Sequence, residues 1–117
     1  MGDERREHER FGTELSVDVK NGENFLFAYI TNISEMGIFI RSDDPLPVGT
    51  TLKLSFEGPE DTGRVQVEGT VQWINPVRTE GDNPNPGMGV RFDALTPELR
   101  EQLVEIVRAV AYLHEQA

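Results

Sequence analysis

Residues 13–22, Thr-Glu-Leu-Ser-Val-Asp-Val-Lys-Asn-Gly, decide the fold class. Apolar side chains alternate with polar ones at Leu15, Val17 and Val19, which is typical of a strand with one buried face. Asn21 and Gly22 both tolerate the positive φ angles of a tight hairpin turn. Beyond the turn, aromatic side chains resume the alternation at Phe25, Phe27 and Tyr29. The first two elements are therefore predicted to form a β-hairpin.

Four further strands are predicted, at residues 37–41, about 51–56, about 65–74 and 88–92. In the longest of them, the apolar residues predicted to share one face are Val65, Val67, Val71 and Trp73. Gly69 lies between these residues, and it indicates either a β-bulge or a close approach of two backbones.

A helix is predicted to follow the last strand, with Thr96 as its N-cap and Pro97 at its first position. One face is apolar at helical spacing, through Leu99, Leu103, Ile106, Val107, Val110 and Leu113. Short strands followed by one helix indicate a mainly β fold, a small antiparallel six-stranded β-barrel covered by a C-terminal α-helix. The predicted barrel spans residues 13–95 and the helix residues 96–117.

Composition restricts the classes of function. With 117 residues the chain forms one domain, and its formal net charge of −10 opposes binding to DNA or RNA polymers. No stretch is apolar enough to span a membrane, no secretion signal is visible and cysteine is absent, so we expect a cytoplasmic protein.

The residues needed for catalysis are largely missing. His8 and His114 lie at opposite ends of the chain without metal-binding spacing, and Ser34 lacks the flanking glycines of a nucleophile elbow. No phosphate-binding glycine loop is present. We therefore expect a non-enzyme that holds no metal and no cofactor, with a hydrolase as a remote alternative.

Two local patterns remain. Residues 5–10 are Arg-Arg-Glu-His-Glu-Arg, in which Arg6 and Arg10 frame three residues, and residues 32–37 are Asn-Ile-Ser-Glu-Met-Gly. Together they resemble the paired motifs of PilZ domains, Arg-x-x-x-Arg followed after a hairpin by Asp/Asn-x-Ser-x-x-Gly. The order of the strands, the Trp73 strand, the Gly-Met-Gly-Val-Arg-Phe segment at 87–92 and the terminal helix also resemble that family, so the resemblance covers nearly the whole chain.

The resemblance implies a PilZ-type split barrel that binds cyclic di-GMP, with residues 1–12 as a flexible arginine arm. Guanidinium groups donate paired hydrogen bonds to phosphate oxygens or to guanine, and amide and hydroxyl groups can bind the guanine edge. The implied ligand-binding residues are Arg5, Arg6, Arg10, Asn32, Ser34, Gly37, Arg41 and Trp73. In the family, an arginine directly before the Arg-x-x-x-Arg motif is associated with binding of a stacked pair of ligands. Arg5 has that position here, which implies two ligands per chain.

Several alternatives stay open at the level of sequence. Trp73 can stack on a base or be buried in the core, and the arginines and the Asn-x-Ser-x-x-Gly segment each also fit a solvated terminus and an ordinary turn. The leading hypothesis is a receptor that signals through contacts with an unknown protein partner, in motility or biofilm regulation. The rival is a degenerate adaptor that binds no nucleotide. Apolar residues around the end of the helix fit either a wide lid or a homodimer contact.

Overall fold

The computed structural model describes residues 10–60, 62–77 and 85–116, with side chains described as far as Leu113. It contains six strands and one helix, which are β1 (Phe11–Asn21), β2 (Asn24–Ile33), β3 (Gly37–Arg41), β4 (Thr51–Glu57), β5 (Arg64–Asn75), β6 (Gly87–Asp93) and α1 (Pro97–Gln116). The predicted strands are confirmed, and β1 extends beyond the predicted residues 13–20 at both ends.

The strands form a closed antiparallel barrel in the order β1-β2-β3-β6-β5-β4, which confirms the predicted six-stranded barrel. The side chains that point inward alternate along the regular parts of the strands, and they meet the apolar face of α1 in one core. Fully buried members come from all parts of the barrel, among them Val17, Ile30, Ile38, Leu54, Phe56, Val71 and Met88. Closure of the barrel removes free strand edges, so what remains exposed is the outer face of the sheet.

The hairpin between β1 and β2 turns at Gly22 and Glu23, one residue later than predicted, because Asn21 and Asn24 still pair as strand residues. Gly22 has a φ of 63° there, in the left-handed region that favours glycine. The register places Val17 opposite Ala28, so Ala28 and Ile30 face the core, whereas Ile33 does so beyond the register shift between Ile30 and Asn32. The aromatic residues of β2 consequently lie on the outer face, where Phe25, Phe27 and Tyr29 are exposed.

The prediction that Trp73 shares a face with Val71 is wrong. The pairing of β5 with β6 is regular up to Val71 opposite Val90 and then shifts, so that Trp73 lies opposite Gly89. The irregularity at Gln72 turns the indole to the outer face, where 53% of Trp73 is exposed. Gly69 marks a close approach rather than a bulge, since a Cβ there would lie 2.6 Å from Cγ1 of Val90.

Helix α1 closes the end of the barrel at which β2, β4 and β6 end. Its N-cap is confirmed, because the Leu99 N–H donates to Oγ1 of Thr96 over 3.1 Å. Leu103 and Ile106 are fully buried, and the Ile106 side chain packs so closely on Gly58 that a Cβ there would lie 2.6 Å from its Cγ1. The helix is not long and apolar enough to cross a membrane, and no other helix occurs in the described residues.

Candidate functional site

The turn between β2 and β3 is held by Ser34, whose side chain is fully buried. The Ser34 N–H donates to the carbonyl oxygen of Gly37 over 2.9 Å, and the Met36 N–H donates to Oγ of Ser34 over 3.2 Å. These bonds close the turn from both sides, as is usual for serine in turns. A buried hydroxyl in this position is therefore a fixed acceptor.

Arg10 is the residue that connects the two sequence motifs. It directly precedes β1, and the pairing of Phe11 with Ile33 brings it beside the end of β2. Its Nε donates to Oδ1 of Asn32 over 2.8 Å, and its Nη1 donates to Oγ of Ser34 over 3.1 Å. The structure thus brings together three of the predicted site residues, although 22 positions of sequence separate Arg10 from Asn32.

The charge of Arg10 is not neutralised by these contacts, because the amide of Asn32 and the hydroxyl of Ser34 are both neutral. The residue is exposed as a whole, yet burial of its guanidinium by neighbouring atoms lowers the pKa of Arg10 below its ordinary value. The direction follows from desolvation, which disfavours a charged group. An anion that replaces the lost hydration would be a favourable partner for such a group.

Gly37 allows β3 and β6 to approach each other closely. A Cβ at this position would lie 2.1 Å from the carbonyl oxygen of Val90 and 3.1 Å from Cα of Arg91. Both neighbours are backbone atoms, which cannot rotate away. The motif glycine is therefore required by the barrel itself, and it leaves the outer surface beside Arg10 without a side chain.

Trp73 lies on the outer face with one side against the protein. Its ring stacks on Phe39 with a centroid separation of 5.3 Å and an interplanar angle of 30°. The indole also lies over Gly89, where a Cβ would be only 2.3 Å from Nε1. Half of the residue remains exposed, so the alternative of plain core burial does not hold. A fixed, half-exposed indole is a suitable platform for stacking a base.

Arg10, Gly37 and Trp73 border a cleft of about 210 Å³. Its lining includes Arg10, Gly37, Gln72, Trp73 and Arg91, and no carboxylate from the described residues contributes to it. Sequence reasoning missed Arg91 and Gln72. Alternation with Val90 and Phe92 places Arg91 outward, but only the pairing of β6 with β3 places it opposite Gly37.

Arg41 lies apart from this group, at the opposite end of β3 from Gly37. It pairs with Tyr29 across the strands and lines another cleft, of about 320 Å³, together with Phe27 and Asp43. Its predicted contact with a ligand stays a prediction.

Two other predicted site residues, Arg5 and Arg6, lie outside the described residues, as does most of the predicted arm. Within the described residues, no group of three or more His, Asp or Glu side chains is arranged to hold a metal ion.

Comparison with known proteins bears on the barrel as a whole. The family model described as "PilZ domain" matches residues 4–109. Curated protein sequences gave no match.

Solved structures with the same fold include the PilZ domain of YcgR from Escherichia coli with c-di-GMP, with a TM-score of 0.74 at 16% identity, covering 96% of this chain and 95% of that one. The K. pneumonia MrkH–c-di-GMP complex has a TM-score of 0.77 at 13% identity and coverages of 96% and 55%. The Bacillus subtilis inhibitor of motility MotI (DgrA) has a TM-score of 0.74 at 20% identity and coverages of 93% and 52%. The present chain thus spans about half the length of the latter two proteins.

Proposed function

This chain belongs to the PilZ domain family, and on that premise we propose that it is a non-enzymatic receptor for cyclic di-GMP. The observation that carries the proposal is the pair of hydrogen bonds from Arg10 to Asn32 and Ser34. They unite the arginine motif and the Asn-x-Ser-x-x-Gly motif beside an outward-facing indole. The YcgR and MrkH structures, which contain c-di-GMP on the same fold, support the choice of ligand.

The site offers the groups that a cyclic dinucleotide requires. A guanidinium has five N–H donors, and Arg10 uses its Nε–H and one from Nη1 within the protein. Within the described part of the chain, the Nη2 amino group and the second Nη1 hydrogen are left to bind a phosphate oxygen or the O6 and N7 atoms of guanine. Asn32 and Ser34 keep the guanidinium plane oriented, so little conformational entropy is lost when the ligand binds.

The other predicted site residues are proposed to contact the remaining parts of the ligand. A guanine stacks on the open side of Trp73, and Arg6 adds a second guanidinium from the arm. Arg41 adds positive charge at a distance. If Arg5 provides counter-charge for a stacked second ligand, the stoichiometry approaches two per chain.

Calorimetric titration with cyclic di-GMP tests the proposal. Replacement of Arg10 by alanine removes charge-assisted hydrogen bonds worth about 1–3 kcal/mol, so a loss of roughly tenfold or more in affinity is expected. Arg108→Ala is the matched control, because Arg108 is an exposed arginine of α1 whose described ion pair is with Glu105, within the helix. Equal affinities for the wild type and the Arg10 variant would show that the two motifs do not form the site.

Binding is proposed to change the surface that the domain presents to a protein partner, in control of motility or biofilm formation. The fold neighbour described as an inhibitor of motility supports this direction. The competing function is an adaptor of the same fold that binds no nucleotide, and absence of heat on titration would favour it. Either function is compatible with a symmetric homodimer in which two chains pair through the exposed end of α1, at Tyr112 and Leu113. Light scattering would detect such a dimer.

A further inference from the structure

Arg91 is an outward-facing cation that lines the same cleft as Arg10 and Trp73. It lies on β6 directly opposite Gly37 of β3, and 52% of its side chain is exposed. Because Gly37 has no side chain, the position of β3 that pairs with Arg91 places no side chain over it. The order of the strands places Gly37 between the two arginines, since Asn32 and Ser34, which hold Arg10, lie on its other side.

The balance of charge distinguishes this cleft from its surroundings. The whole chain carries a formal net charge of −10. Three other clefts on the described residues, including one of about 600 Å³, are lined by both basic and acidic side chains. The described lining of the cleft with Arg10 and Arg91 contains arginine and no carboxylate. On an acidic protein, such a cleft favours an anion by local contacts rather than by the overall field.

The free protein holds Arg91 only weakly. Its Nη2 lies 3.5 Å from Oδ1 of Asp93, in an ion pair whose side chains are 52% and 28% exposed. Exposed pairs of this kind contribute little to stability, because water competes for both charges. Asp93 has a second partner, since the Thr70 hydroxyl donates to its Oδ2. Asp93 therefore keeps a hydrogen bond if Arg91 leaves it.

We propose that Arg91 binds a phosphate of the cyclic dinucleotide, and that it exchanges its ion pair with Asp93 for this contact. A cyclic dinucleotide carries two phosphodiesters on opposite sides of its ring, and the two arginines line the cleft on either side of Gly37. Arg10 contacts one side of the ligand and Arg91 the other, with Trp73 beneath a base. This inference rests on the proposed function. It adds Arg91 to the residues that bind the ligand, and it adds Asp93 as a group that competes with the ligand for Arg91.

A double-mutant cycle tests the exchange by titration with cyclic di-GMP, using wild type, Arg91→Ala, Asp93→Asn and the double variant. Loss of one charge-assisted contact predicts roughly tenfold weaker binding for Arg91→Ala. Asp93→Asn removes the competing charge but keeps an acceptor for Thr70, so about two- to threefold tighter binding is expected from a weak surface pair. In the Arg91→Ala background the Asp93 substitution should have no effect.

The outcomes separate the inference from the proposed function. If wild type binds, Arg10→Ala loses binding and Arg91→Ala matches the Arg108→Ala control, the inference is overturned while the receptor function stands. If wild type shows no binding, both fail. An unchanged or weaker affinity for Asp93→Asn overturns the exchange. Partial recovery in Arg91→Lys, with an unfolding midpoint like that of wild type, supports a contact to phosphate, because lysine keeps the charge but lacks the planar fork.

Discussion

Two clefts of the barrel lie at opposite ends of β3, and each is lined by an arginine and by an aromatic ring. At the Gly37 end, Arg10 is oriented by Asn32 and Ser34, and the Trp73 ring is held against Phe39. At the Arg41 end, Asp43 shares the cleft, and the exposed rings of Phe27 and Tyr29 meet edge to face at 5.7 Å.

Under the proposed function, an arginine and an aromatic ring are not enough to predict a nucleotide site. The Gly37 end has three further properties: its described lining has no carboxylate, its arginine is fixed by neutral partners, and its glycines let backbone and indole pack closely. The Arg41 end has a carboxylate that competes with any anion. Substitutions at the two ends should therefore have very different effects on binding of cyclic di-GMP.

The largest effect is expected from Gly37→Ala. The new Cβ would lie 2.1 Å from the Val90 carbonyl oxygen, so β3 and β6 must separate. Overpacking of this kind costs about 1–3 kcal/mol of unfolding free energy, and the displaced turn should abolish binding. Gly12→Ala is the control, since its Cβ would have no neighbour closer than 4.0 Å. Urea unfolding checks both variants, and equal stability of the two would contradict the close approach.

A smaller effect is expected from Trp73→Ala. Stacking of a base on an aromatic side chain contributes about 1–3 kcal/mol, so affinity should fall by a factor of roughly 5 to 150. Gly89→Ala should act in the same direction, because its Cβ would meet Nε1 at 2.3 Å and force the indole to move. Tyr29→Ala, at the Arg41 end, should leave affinity unchanged. If Tyr29→Ala loses as much affinity as Trp73→Ala, the two clefts do not differ in their contribution to binding.

The smallest effect is expected from Arg41→Ala. Arg41 lies four positions along the strand from Gly37, a distance of about 13 Å, which exceeds the screening length of about 8 Å at physiological salt. Affinity should change by about twofold or less, and the change should disappear as salt is added. A salt-independent loss of tenfold would instead show that Arg41 touches the ligand, as the family resemblance implies, and that both ends of β3 form one site.

The barrel could be predicted from the sequence because its signals are local. Alternation of polar and apolar residues gave the strands, and the Thr96 cap with Pro97 gave the start of the helix. The orientation of Trp73 could not be predicted, since it depends on a shift in pairing between Val71 and Trp73. The exposure of Phe25 and Phe27 likewise follows from the register with β1, which apolar character alone does not reveal.

The candidate site could be predicted only in part. The two motifs pointed to Arg10, Asn32 and Ser34, and the structure places these side chains in contact. Arg91 was missed because its position depends on pairing with Gly37, a partner more than fifty positions away in sequence. The residue type of Arg91 did not indicate a binding role either, because an arginine that alternates with Val90 and Phe92 is usually only a solvated surface residue.

The central claim is that cyclic di-GMP binds at the Gly37 end of β3 and not at the Arg41 end. Titration of the ¹⁵N-labelled protein with cyclic di-GMP, followed by amide and indole NMR shifts, tests it most directly. We expect the largest shifts at the amides of Ser34 and Gly37 and at the indole N–H of Trp73, with the amides of Phe27 and Arg41 nearly unmoved. Shifts concentrated at Phe27 and Arg41, or none at saturating ligand, would contradict the claim.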